Sequence, residues 1–392
     1  MTFMKRTAAT APAAGSGRND SRLFIGISRN ILRACNIYEP EKLIRGILSA
    51  GLTPKETASL LGKTISGGAK PVDHAVGSVP IPTAVALQGL PELLSAGLKP
   101  PRILALYDGI IKTAGSHEGQ ACLVVLPAVV KSARHYLGAE KTNELFSRLV
   151  AEKIVNYTFF KLIPSALEAG LTINSIVSIG AFSRDRGHRE YVSKSLTAFI
   201  KIAPKKFNPG WIATITLGVY EYCGESAGIA FASLAWNLDK IIGTHSDELA
   251  AIILAVLKTT KNDAGAALNA LPAVLEAGLN RQEIKSLFEV IGEKENQDEG
   301  IDGFESLSFA VRAARSVLSV NATISLLTNI AKEAKEMTPY AYEELPDLIK
   351  EGQGSEEIIR RVKDAREYYI KSEMQGSDDF LGRLVPNWED RY

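Results

Sequence analysis

Cysteine is scarce in this chain, and the three that occur, Cys35, Cys122 and Cys223, lie far apart with no CxxC pair. An odd number of separated cysteines argues against a disulfide framework or a cysteine-rich zinc cage and is typical of a reducing compartment. The five histidines show no HExxH or other paired ligand spacing. No apolar run reaches the roughly 18 residues that a membrane-spanning helix needs. We therefore predict no metal site, no disulfide and no membrane contact.

Catalytic motifs are also lacking, with one partial exception. Gly224-Glu225-Ser226-Ala227-Gly228 matches the G-x-S-x-G pattern of serine hydrolases, which requires a strand, a sharp turn and a helix. The single downstream histidine, His245, lies six residues after Asp239, so both belong to one local hairpin. We find no glycine-rich oxyanion loop and no nucleotide-binding fingerprint. The prediction is a protein that is not an enzyme, with no cofactor and no small-molecule substrate; a hydrolase acting through Ser226 is the alternative.

Charge is distributed unevenly along the chain, although the net charge is only +1. Residues 1–216 carry 27 Lys and Arg against 14 Asp and Glu, whereas residues 217–392 carry 18 against 30. Such a split predicts a basic half that meets a polyanion and an acidic half that meets a basic protein partner. The alternative is that the charges are solvated helix faces without a partner.

The N-terminal segment, residues 1–22, is rich in small and hydroxylated residues and holds four basic residues against the single Asp20. It has no apolar core of the kind found in secretory signals. Its composition suits a mitochondrial transit segment or an RNA-binding arm, and a flexible terminus without a special role is the alternative.

A repeat of 36 to 37 residues is the main feature of the sequence. A Leu-Pro or Ile-Pro pair recurs, with its proline at Pro91, Pro127, Pro164, Pro272 and Pro346. The intervals of 36, 37, 108 and 74 residues are one, one, three and two steps of this repeat. A glycine stands six positions after four of these prolines, at Gly97, Gly170, Gly278 and Gly352, while Ala133 takes that place after Pro127. A shared spacing of two residue types indicates one structural unit repeated along the chain.

Each copy reads as two helices joined by a glycine turn. In the copy that contains Gly278, helical apolar spacing precedes the glycine, which can adopt the left-handed conformation that closes a helix. Asn280 with Glu283 three residues later forms a capping pair that starts the second helix. Helices of this length are not stable alone, so neighbouring copies must stack. The sequence therefore predicts an all-α fold, an α-solenoid of about nine helical hairpins.

The predicted domain layout has three parts: a flexible basic segment at 1–22, the solenoid at 23–370 and an extended tail at 371–392. A Gly- and Pro-rich insertion at 66–83 is predicted to be a loop within the solenoid. The tail is polar but carries three large apolar residues that we expect to bind a partner: Phe380, Leu384 and Trp388.

One segment concentrates positive charge, FSRDRGHREY at 182–191, and lysines follow in the next turns. Guanidinium groups bind phosphates in a bidentate manner and stack on bases, and an adjacent aromatic ring supports stacking. The predicted RNA-binding residues are Arg184, Arg186, His188, Arg189, Tyr191, Lys194, Lys201, Lys205 and Lys206. The alternative is a solvated loop, partly neutralised by Asp185 and Glu190.

The segments LAAIILAVLKTTKNDAGAALNALPAVLEAGL and INSIVSIGAFSRDRGHREYVSKSLTAFIKIA resemble the heptatricopeptide and octotricopeptide class of helical-hairpin repeats. That class occurs in FAST-kinase-domain-like and related organellar proteins. The resemblance implies association with organellar RNA and, in some lineages, a structural place in the mitochondrial ribosome. We accordingly expect a mitochondrial, non-enzymatic scaffold in a ribonucleoprotein, bound to other proteins of a large complex. A cytoplasmic adaptor of the HEAT or armadillo type, binding proteins without RNA, is the alternative.

Overall fold

The computed structural model describes residues 32, 37, 39–67, 81–185, 190–293, 303–371 and 384. Within these ranges the regular structure is α-helix joined by short turns, several of them 3₁₀, with no strand. The predicted all-α class is therefore confirmed. The chain divides into two compact units, Met1–Pro164 and Ser165–Tyr392.

The described residues of the first unit include four complete helices: α1 (Pro40–Ser49), α2 (Pro54–Gly67), α3 (Ile81–Ser95) and α4 (Pro100–Ala151). A fifth, α5 (Tyr157–Glu168), begins in the first unit and ends in the second. α1 packs on α3, and both α2 and α3 pack on α4. The loop predicted at 66–83 is wrong at its ends, because α2 continues to Gly67 and α3 begins at Ile81; residues 68–80 lie outside the described ranges.

α4 is long but not straight. A methyl group on Gly119 would lie 3.5 Å from Cα of Ile111, eight residues earlier, so the chain reverses between them. It reverses again at Gly138, where φ is 76°, and a methyl group on Gly109 would collide with the Val150 side chain. In a straight helix, Gly109 and Val150 would lie about 60 Å apart. α4 therefore comprises three helical arms, and the described helices form nine pairs along the chain, as the repeat predicts.

The copy in which Ala133 takes the place of the glycine turns later than the other copies. Ala133 is fully buried inside a helical arm, and the left-handed residue of this copy is Gly138. A Cβ atom disfavours positive φ, so the helix continues past the alanine until the next glycine.

The second unit arranges its helices in two layers. One layer consists of α7 (Glu190–Ile202), α9 (Ala227–Asn237), α11 (Ala264–Glu276), α13 (Gly303–Val317) and α15 (Thr338–Lys350). The other consists of α6 (Ile173–Asp185), α8 (Pro209–Cys223), α10 (Ser246–Thr260), α12 (Arg281–Ile291), α14 (Val320–Ala334) and α16 (Ser355–Lys371). Each helix packs mainly on the helix two places along the chain, in its own layer. This sequential packing is the predicted solenoid-like arrangement.

The predicted glycine turns are confirmed, since φ is 84° at Gly97, 78° at Gly170, 86° at Gly278 and 78° at Gly352. The Gly278 amide donates to the Leu275 carbonyl at 2.9 Å, and the Leu279 amide donates to the Val274 carbonyl at 3.3 Å. This pair of bonds is the Schellman motif, which satisfies carbonyls at the end of a helix. Leu279 is buried, so the turn also anchors the connection to the core.

The predicted capping pair is confirmed as well. The Asn280 side chain accepts from the amides of Gln282 and Glu283 at 2.9 and 3.1 Å, and Glu283 accepts from the Asn280 amide at 2.7 Å. Thr53 and Glu56 repeat this exchange at the start of α2, and the hydrogen bonds from Thr53 lower the pKa of Glu56. Both boxes satisfy amides that the first turn of a helix leaves without partners.

A second turn recurs between the layers, where each hairpin leads into the next. Gly224, Lys261 and Lys335 begin 3₁₀ turns with φ of 52°, 51° and 52°, and they lie 37 and 74 residues apart. At Gly224, whose copy has Ala235 where the others have the proline, backbone geometry thus keeps the repeat that the proline does not mark. The two lysines are held in a conformation that favours glycine, which stores strain in these turns.

We expect Gly278→Ala to lower the free energy of unfolding by about 1 kcal/mol or more, because alanine disfavours positive φ. Space is not the reason, since the nearest atom to an added methyl group is Val320 Cγ2 at 3.7 Å. Gly278→Asn is the control, because asparagine tolerates this conformation. Chemical denaturation would measure both, and equal losses for Ala and Asn would contradict the backbone explanation.

Relieving the backbone strain in a 3₁₀ turn should instead raise the free energy of unfolding. Lys261→Gly is expected to raise the free energy of unfolding by about 1 kcal/mol, because it removes the Cβ atom at a positive φ. Lys258→Gly, one turn earlier in α10, should lower it by roughly 0.5 to 1 kcal/mol, since glycine weakens a helix interior. Denaturation midpoints that move in the same direction for both variants would contradict this interpretation.

Candidate nucleic-acid interface

The predicted RNA-binding segment joins α6 to α7. Arg184 is exposed in the last turn of α6, and Tyr191 is exposed in the first turn of α7. Arg186, His188 and Arg189 lie outside the described residues. The interface must therefore be built from the helices on either side of this connection.

α7 presents one exposed stripe. Tyr191, Lys194, Ala198 and Lys201 are exposed, at intervals of three, four and three residues. These intervals place them on one side of a helix with 3.6 residues per turn. Phe199 lies on the opposite side and is fully buried. The stripe runs for about 15 Å and carries two cations and an aromatic ring without an intervening carboxylate.

Lys205 and Lys206 each contact a residue that follows α9. The Lys205 ammonium lies 3.0 Å from the Asp239 carboxylate, and the Lys206 ammonium donates to the Ile241 carbonyl at 2.7 Å. Both contacts tie the turn after α7 to the turn after α9. Lys206 is half-buried, so its charge is committed to this junction, whereas the Lys205–Asp239 pair lies at the surface.

α9 and the 3₁₀ turn after it, Leu238–Lys240, supply two further residues that the sequence prediction missed. Trp236 is 72% exposed, and the Lys240 ammonium lies 4.8 Å from the centre of its ring. Lys240 also donates to Asn237 Oδ1 at 3.0 Å. The available signal was helical spacing: Trp236 lies seven residues after the exposed Ile229, away from the buried side of α9.

α7 and α9 meet closely through a glycine. A methyl group on Gly228 would lie 2.6 Å from Cδ1 of Tyr191, which is too short for any real contact. Glycine therefore makes room for the Tyr191 ring, which keeps 54% of its surface exposed. Beneath this contact, the rings of Phe199 and Phe231 pack with their centres 5.9 Å apart. The outer face of α7 and α9 is thus fixed by a packed interior.

The α7–α9 face, defined by Tyr191, Lys194, Lys201, Trp236 and Lys240, combines positive charge with accessible rings. The carboxylate of the neighbouring Asp239 is already paired. Lysines bind phosphate oxygens, and exposed aromatic rings stack on bases of any sequence. This face can therefore hold a nucleic acid by two independent interactions.

Ser226 lies in the 3₁₀ turn Gly224–Ser226, which joins α8 to α9. A nucleophile elbow needs a strand before the serine. Here the preceding element is helix α8, so the G-x-S-x-G match lies in one of the repeated turns of the solenoid.

Of the three apolar residues of the tail that are predicted to bind a partner, the structure describes Leu384. Leu384 is fully buried within the chain, so its side chain is not open to an external partner in this conformation. Phe380 and Trp388 lie outside the described residues. In the described ranges no group of three His, Cys, Asp or Glu side chains is placed to hold a metal ion.

None of the described helices is both long and apolar enough to cross a bilayer.

Comparison with known proteins gives no family for this chain. No protein-family model matches the chain, and no curated protein is similar to it in sequence.

Gly228→Ala should lower the free energy of unfolding by about 1 to 3 kcal/mol, because the new methyl group displaces the Tyr191 ring. Adding Tyr191→Ala removes the obstacle, so the double variant should be more stable than the sum of the two single effects predicts. Ser226→Ala, in the preceding turn, is the control and should change stability by less than about 0.5 kcal/mol. Additive effects of the two substitutions would show that the ring and the glycine do not meet.

Proposed function

We propose that this protein is a non-enzymatic, RNA-associated scaffold of an organellar ribonucleoprotein. The observation that carries the proposal is the α7–α9 face, where lysines alternate with exposed aromatic rings on a rigid helical layer. Helical repeat proteins offer extended surfaces that bind macromolecules. The basic composition of residues 1–216 gives further support, because a polyanion is attracted to the half of the chain that holds α7.

The organellar setting is supported by sequence. Residues 1–22 have the basic, hydroxylated composition of a transit segment, and the repeats resemble those of organellar RNA-associated proteins. Within that setting we propose a structural component of the mitochondrial ribosome. A component of such an assembly contacts RNA on one side and other proteins on another.

A protein-binding adaptor is the second candidate, and a groove across α8, α10 and α12 favours it. The groove has a volume of about 1150 Å³ and lies on the layer that does not carry the α7–α9 face. Its charged lining is balanced: Glu221, Glu248, Glu289 and Glu293 against Lys258, Lys261, Arg281 and Lys285. Four carboxylates would repel a polyanion. Mixed charge around the half-buried side chains of Leu217 and Leu254 instead suits a polypeptide. The two surfaces together fit a scaffold that joins RNA to protein.

The proposal predicts RNA binding that depends on salt, since phosphate contacts release counterions. For a single strand the log–log slope of affinity against salt is about −0.7 per phosphate contact. Replacing Lys194, Lys201 and Lys240 by Ala should therefore make the slope shallower by about 2. Fluorescence anisotropy of a labelled RNA, repeated over a range of salt concentrations, would measure this.

The matched control removes three lysines from the groove, Lys258, Lys261 and Lys285. It should leave the slope unchanged, because that lining also holds carboxylates. Folding should barely respond to either triple substitution, since exposed charges contribute little to stability. Wild-type protein that binds no RNA, or equal slopes for the two triple variants, would favour the protein-only adaptor. Replacing Arg184, Arg186 and Arg189 by Ala tests the adjoining connection in the same assay.

A further inference from the structure

We propose that the α7–α9 face binds single-stranded RNA and stacks an unpaired base on the indole of Trp236. This inference rests on the proposed function and names the kind of RNA that the same face takes. It starts from Trp236, because the repeated fold does not need a tryptophan there. On the next helix of the layer, α11, the exposed residues are the polar Asn269 and Glu276.

The exposure of Trp236 is costly without a partner. A 72% exposed indole leaves most of a large apolar surface in water. Aromatic side chains in this state mark interaction sites, because burying the ring against a partner recovers the hydrophobic free energy. A planar apolar surface is what a nucleobase covers when it stacks.

The cation that lies over one face of the indole is held in place by hydrogen bonds that lead into the interior. Lys240 donates to Asn237 Oδ1 at 3.0 Å, and Asn237 Nδ2 donates to Ser233 O at 2.9 Å and to Asn269 Oδ1 at 2.8 Å. Asn237 is buried, so this arrangement fixes the ammonium 4.8 Å from the ring centre. A base stacked on the indole would have its phosphate close to a positioned positive charge. Positioning before binding reduces the entropy that binding costs.

A second aromatic ring, that of Tyr191, lies at the other end of the site. Tyr191 packs on Gly228, which lies eight residues before Trp236 on α9. Eight residues of helix correspond to about 12 Å, which is the span of roughly three to four stacked nucleotides. Between the rings, Ala198 and Ala232 are exposed or half-buried, and their small side chains let a backbone approach the helices.

The exposed aromatic rings favour single-stranded RNA over a duplex. In a duplex every internal base is paired and stacked on its neighbours, so its face is closed to a protein ring. Lysines alone would bind duplex and single strand by charge. Exposed rings between the lysines add free energy only for a strand whose bases are free to turn outward.

A membrane surface would be another partner for tryptophan, lysine and the exposed Ile242. Membrane-binding helices carry a continuous apolar side, whereas the outward stripe of α7 alternates Tyr191, Lys194, Ala198 and Lys201. Interleaved charge and rings favour RNA over a bilayer, and vesicles serve as a comparison in the test.

The test uses the full chain, a labelled 12-nucleotide single-stranded RNA, a duplex of the same length and anionic phospholipid vesicles. Trp236→Ala should weaken binding of the single strand about 10-fold, within the range that stacking one base contributes, and leave the salt slope unchanged. Trp236→Phe should keep most of the affinity. Phe309→Ala, which removes another exposed ring on α13, is the control and should bind like wild type. Lys240→Ala should lower affinity and also make the slope shallower.

The outcomes separate the inference from the proposed function. Preference for the single strand, lost in Trp236→Ala but kept in Trp236→Phe, would support stacking. Equal binding of duplex and single strand, unaffected by Trp236→Ala, would overturn stacking while leaving a charge-based RNA scaffold. No RNA binding by the wild type would overturn both. Vesicle binding that exceeds RNA binding and depends on Trp236 would assign the face to a membrane surface instead.

Discussion

Stacking of each helix on the helix two places along the chain is the interaction on which this structure depends. The helices of the second unit are mostly 11 to 17 residues long, too short to be stable alone in water. Their apolar sides are buried by neighbours in the same layer, as the contact between Phe199 and Phe231 shows. Because both layers repeat this contact, every copy stabilises the next. The connecting turns must therefore bring each helix to a fixed distance from the helix on which it packs.

That requirement explains the residues of positive φ. Glycine closes the first helix of a copy at Gly170, Gly278 and Gly352, where four residues connect one helix to the next. At Lys261 and Lys335 a side-chain-bearing residue adopts a similar φ, because the packed helices on each side determine the path between them. Local strain is thus maintained by stacking, which is the usual origin of unfavourable backbone conformations in stable proteins.

The same constraint leaves outward positions free to acquire function. Buried positions in α7 and α9 are fixed by packing, whereas the α7–α9 face accepts Lys194, Lys201 and Trp236 without disturbing the core. The opposite layer holds a groove of balanced charge. Placing rings and lysines on one layer and mixed charge on the other gives two surfaces of different chemistry. In the scaffold role that we propose, one surface would bind RNA and the other a protein.

The sequence by itself determined the helical repeat, the glycine turns and the Asn280–Glu283 capping box, because each depends on residues within a few positions of one another. It also identified Tyr191 and the lysines of α7. Tertiary structure alone decided that α4 turns back at Gly138, that Lys205 pairs with Asp239, and that Trp236 lies on the face that Tyr191 begins. Each of these features depends on residues about one repeat apart in the sequence, or on how neighbouring helices pack. A pattern read along the chain gives the period of such contacts, but only the packed helices determine which side chains meet.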